Sequence, residues 1–189
     1  MSQKFNLDKD TWDIIKLYFD NNNLVKHHIE SFDNFMDKKV SQIIKQINPL
    51  SIFNNYNPDT NTYENEVQVN FGKVYFTSPR IHENDGSTKP MTPYAARMRN
   101  MSYSASIAID FKVSIIKDPL TEPVVVDSKE ITKVNIGKIP IMVGSKYCSL
   151  NKPSMRKNGN ECIYDYGGYF IINGNEKVCV SQEKIAENK

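Results

Sequence analysis

Apolar residues recur every three or four positions through the first quarter of the chain, the period of an amphipathic helix. In residues 7–20 they form one face, and three consecutive asparagines then end the helix. From Leu24 the same period continues to Ile47, where Asn48-Pro49 stops it, because proline pushes the preceding residue away from α geometry. The face of the first helix consists of Trp12, Ile15, Tyr18 and Phe19. The pattern predicts helices over 7–48 with an apolar face that needs a partner surface.

Beyond the helices the period changes to two, which is typical of a half-buried strand. From Tyr103 to Ile115 every second residue is apolar, and serines and charged residues fill the other face. An earlier strand runs from Val67 to Phe76, with a bulge expected at Gly72. The return strand is predicted over 124–126 and 131–136, followed by a short buried strand over 139–143.

The segments between these strands are rich in polar residues and prolines. Residues 54–65 and 78–93 are therefore predicted as loops. A short helix is expected over 94–100, since Pro93 suits the first turn of a helix. The sequence as a whole predicts an α+β fold in one domain, helical over 7–48 and mainly β over 65–182, with the N-terminal helices packed on an antiparallel β meander.

The last predicted element is a hairpin over 169–181. Asn173 and Gly174 stand at its centre and tolerate the positive φ angles that a two-residue type I′ turn requires. Lys177 and Lys184 lie on or just after its second strand. They are either solvated charges that protect a strand edge or contacts to nucleic-acid phosphates.

Other polar residues offer weaker candidates for the same chemistry. Ser181 and Gln182 could donate hydrogen bonds to sugar or phosphate oxygens. A basic loop over 150–160, with Lys152, Arg156 and Lys157, is either solvated or faces nucleic acid. Arg97 and Arg99 are either surface cations or partners of Asp110 or of carboxylates in a neighbouring subunit.

Composition argues against several classes of protein. The 24 basic and 22 acidic residues give a net charge of +2, so overall charge does not indicate a dedicated nucleic-acid binder. No stretch is long and apolar enough for a membrane span or a signal peptide, and the three cysteines form no C-x-x-C pair. Three scattered histidines assemble no metal site, and there is no phosphate-cradling loop or nucleophile elbow. The sequence contains no self-contained active site and predicts no cofactor within the chain.

Four blocks of the sequence, in the right order, resemble the second-largest subunit of multisubunit DNA-directed RNA polymerases of archaea, eukaryotes and large DNA viruses. They are LVKHHIESFDNF (24–35), TPYAARMRNMSYSA (92–105), IGKIPIMVGSKYC (136–148) and GGYFIINGNEKVCVSQEK (167–184). In that family the matched region is the first part of the protrusion domain, on the wall of the DNA cleft above the RNA–DNA hybrid. The resemblance implies that Lys177, Ser181, Gln182 and Lys184 face the template strand and the hybrid.

The resemblance also implies what the chain works with. Its partners would be the largest subunit, the other polymerase subunits, the template DNA and the RNA–DNA hybrid, with no membrane. The catalytic Mg²⁺ of a nucleotidyltransferase of this family is bound elsewhere in the assembled polymerase, so this chain would guide nucleic acid without catalytic residues of its own. It would act inside the cell, in the nucleus, or in the cytoplasm or virion if viral.

The sequence departs from the family pattern at several places. Ala95 stands where a glutamate is common, Tyr166 replaces the proline of Asp-Pro-Gly, and Gly144 replaces a basic residue. Family members are several times longer, and the match stops where the lobe domain is expected to be inserted. We therefore expect an expressed segment, one piece of a split subunit or a truncated remnant, whose unpaired sheet edge promotes association. The alternative is a stand-alone nucleic-acid or protein-binding module that retains a polymerase-like fold without polymerase activity.

Overall fold

The computed structural model describes residues 7–59, 62–117, 123–151, 160–162 and 164–186. These residues divide into two compact units that the chain visits alternately. The first unit comprises Met1–Asp33, Met91–Tyr103 and Ile141–Lys189, and the second comprises Asn34–Pro90 and Ser104–Pro140. The α+β class is confirmed, since a small set of helices accompanies an antiparallel sheet.

The predicted N-terminal helices are present and nearly continuous. Helix α1 spans Leu7–Asn21, and the second run consists of α2 (Lys26–Asn34), one π-helical turn (Phe35–Lys39) and α3 (Val40–Ile47). The apolar residues of α1 remain on the surface, where Trp12 is 70% exposed. No helix in the part of the chain that the structure describes is long and apolar enough to cross a membrane.

The second unit is built on four antiparallel strands in the order β1-β2-β5-β6. Their bounds are Leu50–Asn57 for β1, Thr62–Phe76 for β2, Ser104–Lys117 for β5 and Val124–Pro140 for β6. The bulge predicted at Gly72 is confirmed, because the pairing of β2 with β5 shifts between Phe71 and Val74. The predicted alternation of β5 holds in its first half, where Ala105 and Ile109 are buried, but not at its end, where Ser114 is buried and Ile115 is exposed.

Strand β1 corrects the prediction of a loop over 54–65. Its backbone pairs with β2 from Leu50↔Val69 to Asn57↔Thr62, and Tyr56 lies against Tyr63 with ring centroids 5.2 Å apart. Strand pairing uses backbone groups, so the asparagines of 54–57 are accommodated at the edge of a sheet. Strand β6 is continuous over Val124–Pro140, whereas the sequence predicted the return strand in two pieces, 124–126 and 131–136.

A small hairpin corrects the second loop, predicted over 78–93. It pairs β3 (Arg80–His82) with β4 (Thr88–Pro90) across a turn in which Gly86 has φ +81°. Its prolines, Pro79 and Pro90, stand before the first strand and at the end of the second, where the missing N–H does not interrupt the pairing.

The first unit contains α4 (Pro93–Met98) and the hairpin of β7 (Phe170–Ile172) with β8 (Asn175–Lys177). Pro93 lies in the first turn of α4, as predicted, and the Thr92 side chain caps the helix by accepting from the Ala95 N–H. The strand predicted over 139–143 is wrong. Residues 141–143 are buried without forming a strand, because Ile141 N donates to Tyr103 O and Val143 N donates to Tyr169 O, two separate partners.

Candidate nucleic-acid interface

The β7–β8 hairpin has the turn that its sequence predicts. Asn173 and Gly174 have φ values of 50° and 78°, as a type I′ turn requires. Ile171 is fully buried, and Phe170 meets the Phe32 ring edge to face at 5.5 Å between centroids. Every residue of β8 is exposed. The hairpin therefore has one strand anchored in the first unit and the other facing outward.

The hairpin is fixed to the segment 100–103 along its length. Ile171 O accepts from the Tyr103 N–H at 2.9 Å, and the Gly174 N–H donates to Met101 O at 3.0 Å. The Ser102 hydroxyl donates to the Asn173 side chain and accepts from the Asn173 N–H, each at 3.1 Å. These bonds tie both the strand and the turn to the chain that follows α4.

Arg97, on α4, is the central cation of this region. Its Nη2 donates to Glu161 Oε2 at 2.5 Å, and its Nη1 donates to the Tyr169 hydroxyl at 3.0 Å and to Glu176 Oε1 at 3.2 Å. The Glu161 side chain is only 4% exposed, and its other oxygen accepts from the Tyr94 N–H at the start of α4. Burial alone lowers the pKa of Arg97, but the Glu161 carboxylate and the Tyr169 hydroxyl outweigh it and raise that pKa. Arg97 therefore stays charged and links the helix, the residues before the hairpin and both strands.

The turn that enters the hairpin is organised by Asp165. Its Oδ1 accepts from the Gly167 N–H at 2.8 Å, and its Oδ2 accepts from the Tyr169 hydroxyl at 2.5 Å. The Gly168 N–H then donates to Val143 O at 2.8 Å. Gly167 and Gly168 have φ values of 74° and 82°, which only glycine adopts without strain.

Two tyrosine hydroxyls are held in the neutral form. Burial raises the pKa of Tyr169, and the bond to the Asp165 carboxylate raises it further, while Arg97 partly opposes both. Burial also raises the pKa of Tyr103, whose hydroxyl accepts from the Ser149 N–H at 2.8 Å and lies 3.4 Å from Cys148 Sγ.

This leads to a prediction on alkaline stability. A phenol whose pKa is higher in the folded than in the unfolded state stabilises the fold fully below about pH 10. That stability is lost as the pH rises further, since the unfolded chain releases its proton first. One proton can change the free energy of unfolding by at most about 1.4 kcal/mol per pH unit. Because Tyr169 is partly exposed, its contribution to this pH dependence should be smaller than that limit.

Urea midpoints of wild type and Tyr169→Phe between pH 8 and pH 11 measure this share. We expect the variant to lose less stability over that interval than the wild type. Tyr164→Phe, at a side chain that is 80% exposed, is the control and should keep the wild-type slope. Equal slopes for wild type and Tyr169→Phe would contradict the assignment.

The chain was compared with known proteins. The family model described as RNA polymerase beta subunit matches residues 23–188. DNA-directed RNA polymerase II subunit 2 of Arabidopsis thaliana is 38% identical over 186 residues, covering 95% of this chain and 16% of the relative. The RPB2 subunit of Schizosaccharomyces pombe is 37% identical, with the same coverage. The archaeal subunit Rpo2N of Methanothermobacter thermautotrophicus is 33% identical over 97% of this chain and 32% of its own length.

This chain belongs to the RNA polymerase beta subunit family. The residues correspond to the N-terminal region of the second-largest polymerase subunit, and they span about a sixth of the eukaryotic relatives and a third of the archaeal one. The resemblance carried by the four sequence blocks is thereby confirmed, and all four lie within the matched range.

The structure places the four predicted contact residues of this family member on the surface. Lys177 ends β8, and Ser181, Gln182 and Lys184 follow it in a stretch, 178–186, without helix or strand. All four are exposed. The predicted second strand was too long, because the pairing stops opposite Phe170, where β7 begins. The assignment of these side chains to template and hybrid remains a prediction.

Of the other candidates, Arg97 requires a correction, and the basic loop over 150–160 stays a prediction. Arg97 was expected to be a surface cation or to pair with Asp110 or a neighbouring subunit, but it pairs with Glu161 and Glu176 of its own chain. Asp110 instead accepts from the Tyr75 hydroxyl at 2.9 Å. Lys152, Arg156 and Lys157 lie outside the described residues.

Sequence analysis missed the carboxylates that hold Arg97. Glu161 lies 64 positions away along the chain, and neither its spacing nor its neighbours indicate an ion pair. Among the described residues, no three His, Cys, Asp or Glu side chains converge as metal ligands.

Proposed function

We propose that this chain is the N-terminal protrusion segment of a DNA-directed RNA polymerase second-largest subunit and forms part of the cleft wall over the template DNA and the RNA–DNA hybrid. The observation that carries the proposal is the family match over 23–188. Near the end of this range the hairpin is anchored by hydrogen bonds, and polar residues at and after its second strand are exposed. In this role the chain guides nucleic acid while the Mg²⁺ and the catalytic residues are supplied elsewhere in the assembly. Its partners are the largest subunit and the other polymerase subunits.

The anchoring of the hairpin supports a contact role for its exit. Lys177 is the last residue of β8 and pairs with Phe170 of β7. Strand β7 is hydrogen-bonded to segment 100–103, and Tyr169 just before it is bonded to Arg97. The backbone of Lys177 is thus held in place, so its ammonium can meet a phosphate without first ordering a loop. Lys184 and Gln182 lie further along the chain and are also exposed.

Co-purification tests membership of a polymerase. The tagged chain, expressed in its native host, is expected to bring down a largest polymerase subunit and to be found inside the cell, in the nucleus or in a viral transcription compartment. If no largest subunit accompanies it, the stand-alone binding module becomes the better account. The family match by itself is compatible with both.

Charge reversal tests the contact residues. We expect Lys177→Glu/Lys184→Glu in the assembled polymerase to shorten the lifetime of elongation complexes, because each lost phosphate contact weakens a salt-sensitive attraction. Fewer phosphate contacts give a shallower salt dependence, so the difference from the wild type should be largest at low salt and shrink as salt is raised. At about 50 mM salt, complexes should dissociate about tenfold faster, on the order of one kcal/mol.

The matched control is Lys16→Glu/Lys45→Glu, which reverses the same charge at two exposed helical lysines. It should leave the lifetime within about twofold of the wild type, as for surface charges away from the nucleic acid. Lifetimes of Lys177→Glu/Lys184→Glu that match the wild type at every salt concentration would remove these lysines from the interface.

A further inference from the structure

The second unit contains a polar cavity of about 540 Å³. Its floor is formed by polar residues of β5 and β6, and its wall by β3 together with the two residues that follow β2. Eight residues line it, all with polar side chains: Thr77, Ser78, Arg80, His82, Ser104, Ser106, Asn135 and Lys138. The size lies within the range of small-molecule sites, but the lining is unlike a typical apolar pocket.

The sheet register places the floor residues side by side. Ser106 is directly opposite Lys138 in the β5–β6 pair, so both side chains lie on the same face. On the other side of Ser106, Thr77 N donates to Ser106 O at 3.1 Å and Thr77 Oγ1 accepts from the Ser106 N–H at 3.1 Å. Ala105, which lies between Ser104 and Ser106, is buried on the opposite face. The hydroxyls of Thr77 and Ser106 and the ammonium of Lys138 therefore form one row across the sheet.

The hairpin wall adds two more donors. Arg80 and His82 alternate with Ile81, which is 4% exposed, so the two polar side chains share the outer face of β3. Thr88 Oγ1 lies 3.2 Å from His82 Nδ1, which leaves Nε2 for a ligand. The guanidinium of Arg80 is a planar donor that matches phosphate oxygens in pairs.

The charge of the lining has one sign. It holds the cations Arg80 and Lys138 and contains no aspartate or glutamate. Within the part of the chain that the structure describes, neither cation is joined to a carboxylate by an ion pair. A concave site with two cations, several hydroxyls and an imidazole is suited to a ligand with many acceptor oxygens and negative charge.

We propose that this cavity is a phosphate-binding site, in which Arg80 and Lys138 supply the charge and His82 and the serine hydroxyls supply further donors. The phosphate belongs either to a nucleic-acid backbone or to a free phosphate compound. This site lies in the second unit and does not depend on the hairpin residues Lys177 and Lys184, so either assignment can fail without the other.

The first test is a titration of the 189-residue chain with inorganic phosphate, followed through the imidazole proton resonances. The chain has three histidines, so His82→Gln identifies the His82 signal by its disappearance. We expect phosphate to shift the His82 resonance saturably and to leave those of His27 and His28 in place. Arg80→Gln/Lys138→Gln should weaken this binding at least tenfold.

Lys89→Gln is the matched control. Lys89 pairs with Ile81 across the same hairpin, so it stands on the face opposite Arg80 and His82, and it does not line the cavity. It removes one positive charge from the same hairpin as Arg80 and should change the phosphate affinity less than twofold. A loss as large as that of Arg80→Gln/Lys138→Gln would show general charge attraction and overturn the proposal.

The second test separates the two sources of phosphate. Affinity for a duplex oligonucleotide is measured across a salt series for the wild type, the cavity double variant and Lys89→Gln. If the ligand is a nucleic-acid backbone, the slope of log K against log salt should fall by about 0.9 for each cation removed from the cavity. If the slope is unchanged while inorganic phosphate still binds, the ligand is a free phosphate compound. If phosphate moves no His82 resonance and the slopes are equal, the cavity is not a phosphate site.

Discussion

Arg97→Met is expected to lower the free energy of unfolding of the 189-residue chain by about 3 kcal/mol, because it leaves a buried carboxylate without its counter-charge. The Glu161 side chain is 4% exposed and loses its bond at 2.5 Å, and among the described residues the Tyr94 N–H is its remaining donor. Tyr169 and Glu176 lose a donor at the same time. Urea unfolding with a constant m-value measures the loss.

Three further variants separate the causes of that loss. Arg97→Met/Glu161→Gln removes the stranded charge and should recover more than half of the stability lost by Arg97→Met. Arg97→Lys keeps the charge but cannot reach Glu161, Tyr169 and Glu176 together, so it should cost about 1–2 kcal/mol. Glu176→Gln removes the exposed partner, 55% exposed, and should cost less than about 1 kcal/mol. Equal losses for Arg97→Met and the double variant would show that the Glu161 charge is not the cause.

The same ion pair has a consequence for the proposed interface. Arg97 contacts Tyr169 just before β7 and Glu176 within β8, so its loss frees both ends of the hairpin from α4. Lys177 is the next residue after Glu176. We therefore expect Arg97→Met to weaken the nucleic-acid contact of Lys177 indirectly, even though Arg97 itself touches no nucleic acid in this account.

Sequence analysis predicted the elements whose signal is local. Strand β5 and the Asn173-Gly174 turn follow from the preferences of a few neighbouring residues, and both are present. The helix beginning at Pro93 is equally local, because a fixed φ and a threonine cap suffice to start it.

The elements it missed depend on partners far along the chain. Strand β1 is stabilised by backbone pairing with β2, which a run of asparagines neither favours nor forbids. Residues 141–143 looked like a strand because they are apolar, but their N–H groups go to Tyr103 and Tyr169 instead of one neighbouring strand. The apolar composition of this segment indicates that it is buried, but only the structure shows which groups its N–H groups bond to.

For the candidate interface, the positions of the contact residues could be predicted, but the contacts that hold the hairpin in place could not. The exposed residues after β8 were identified from the family resemblance, while the groups that hold the hairpin in place were not. Arg97 was recognised as a cation, but its partners lie 64 and 79 positions away. A buried charged side chain needs a partner. The burial of Glu161, however, cannot be inferred from its polar neighbours in the sequence.

The second large loss of stability is expected for a substitution at Gly167, because the entry to the hairpin has no room for a side chain. A Cβ on Gly167 would lie 2.3 Å from Val143 O and 2.8 Å from Val143 C, both backbone atoms. Those atoms are held in place by the Gly168 N–H, which donates to Val143 O at 2.8 Å. The φ of 74° adds a left-handed conformation that costs a non-glycine residue about 1–2 kcal/mol.

Gly167→Ala is therefore expected to destabilise the chain by about 3 kcal/mol or more, the sum of the backbone conformation and an overpacking cost of about 1–3 kcal/mol. Two glycines separate these contributions. Gly86 has φ +81° with nothing within 4 Å of an added Cβ, so Gly86→Ala should cost only the conformational part. Gly137 has neither a positive φ nor a neighbour within 4 Å, and Gly137→Ala should be close to neutral. If urea unfolding gives Gly167→Ala and Gly86→Ala the same loss, the backbone of Val143 yields to the methyl group, and the entry to the hairpin is less rigid than the proposed interface requires.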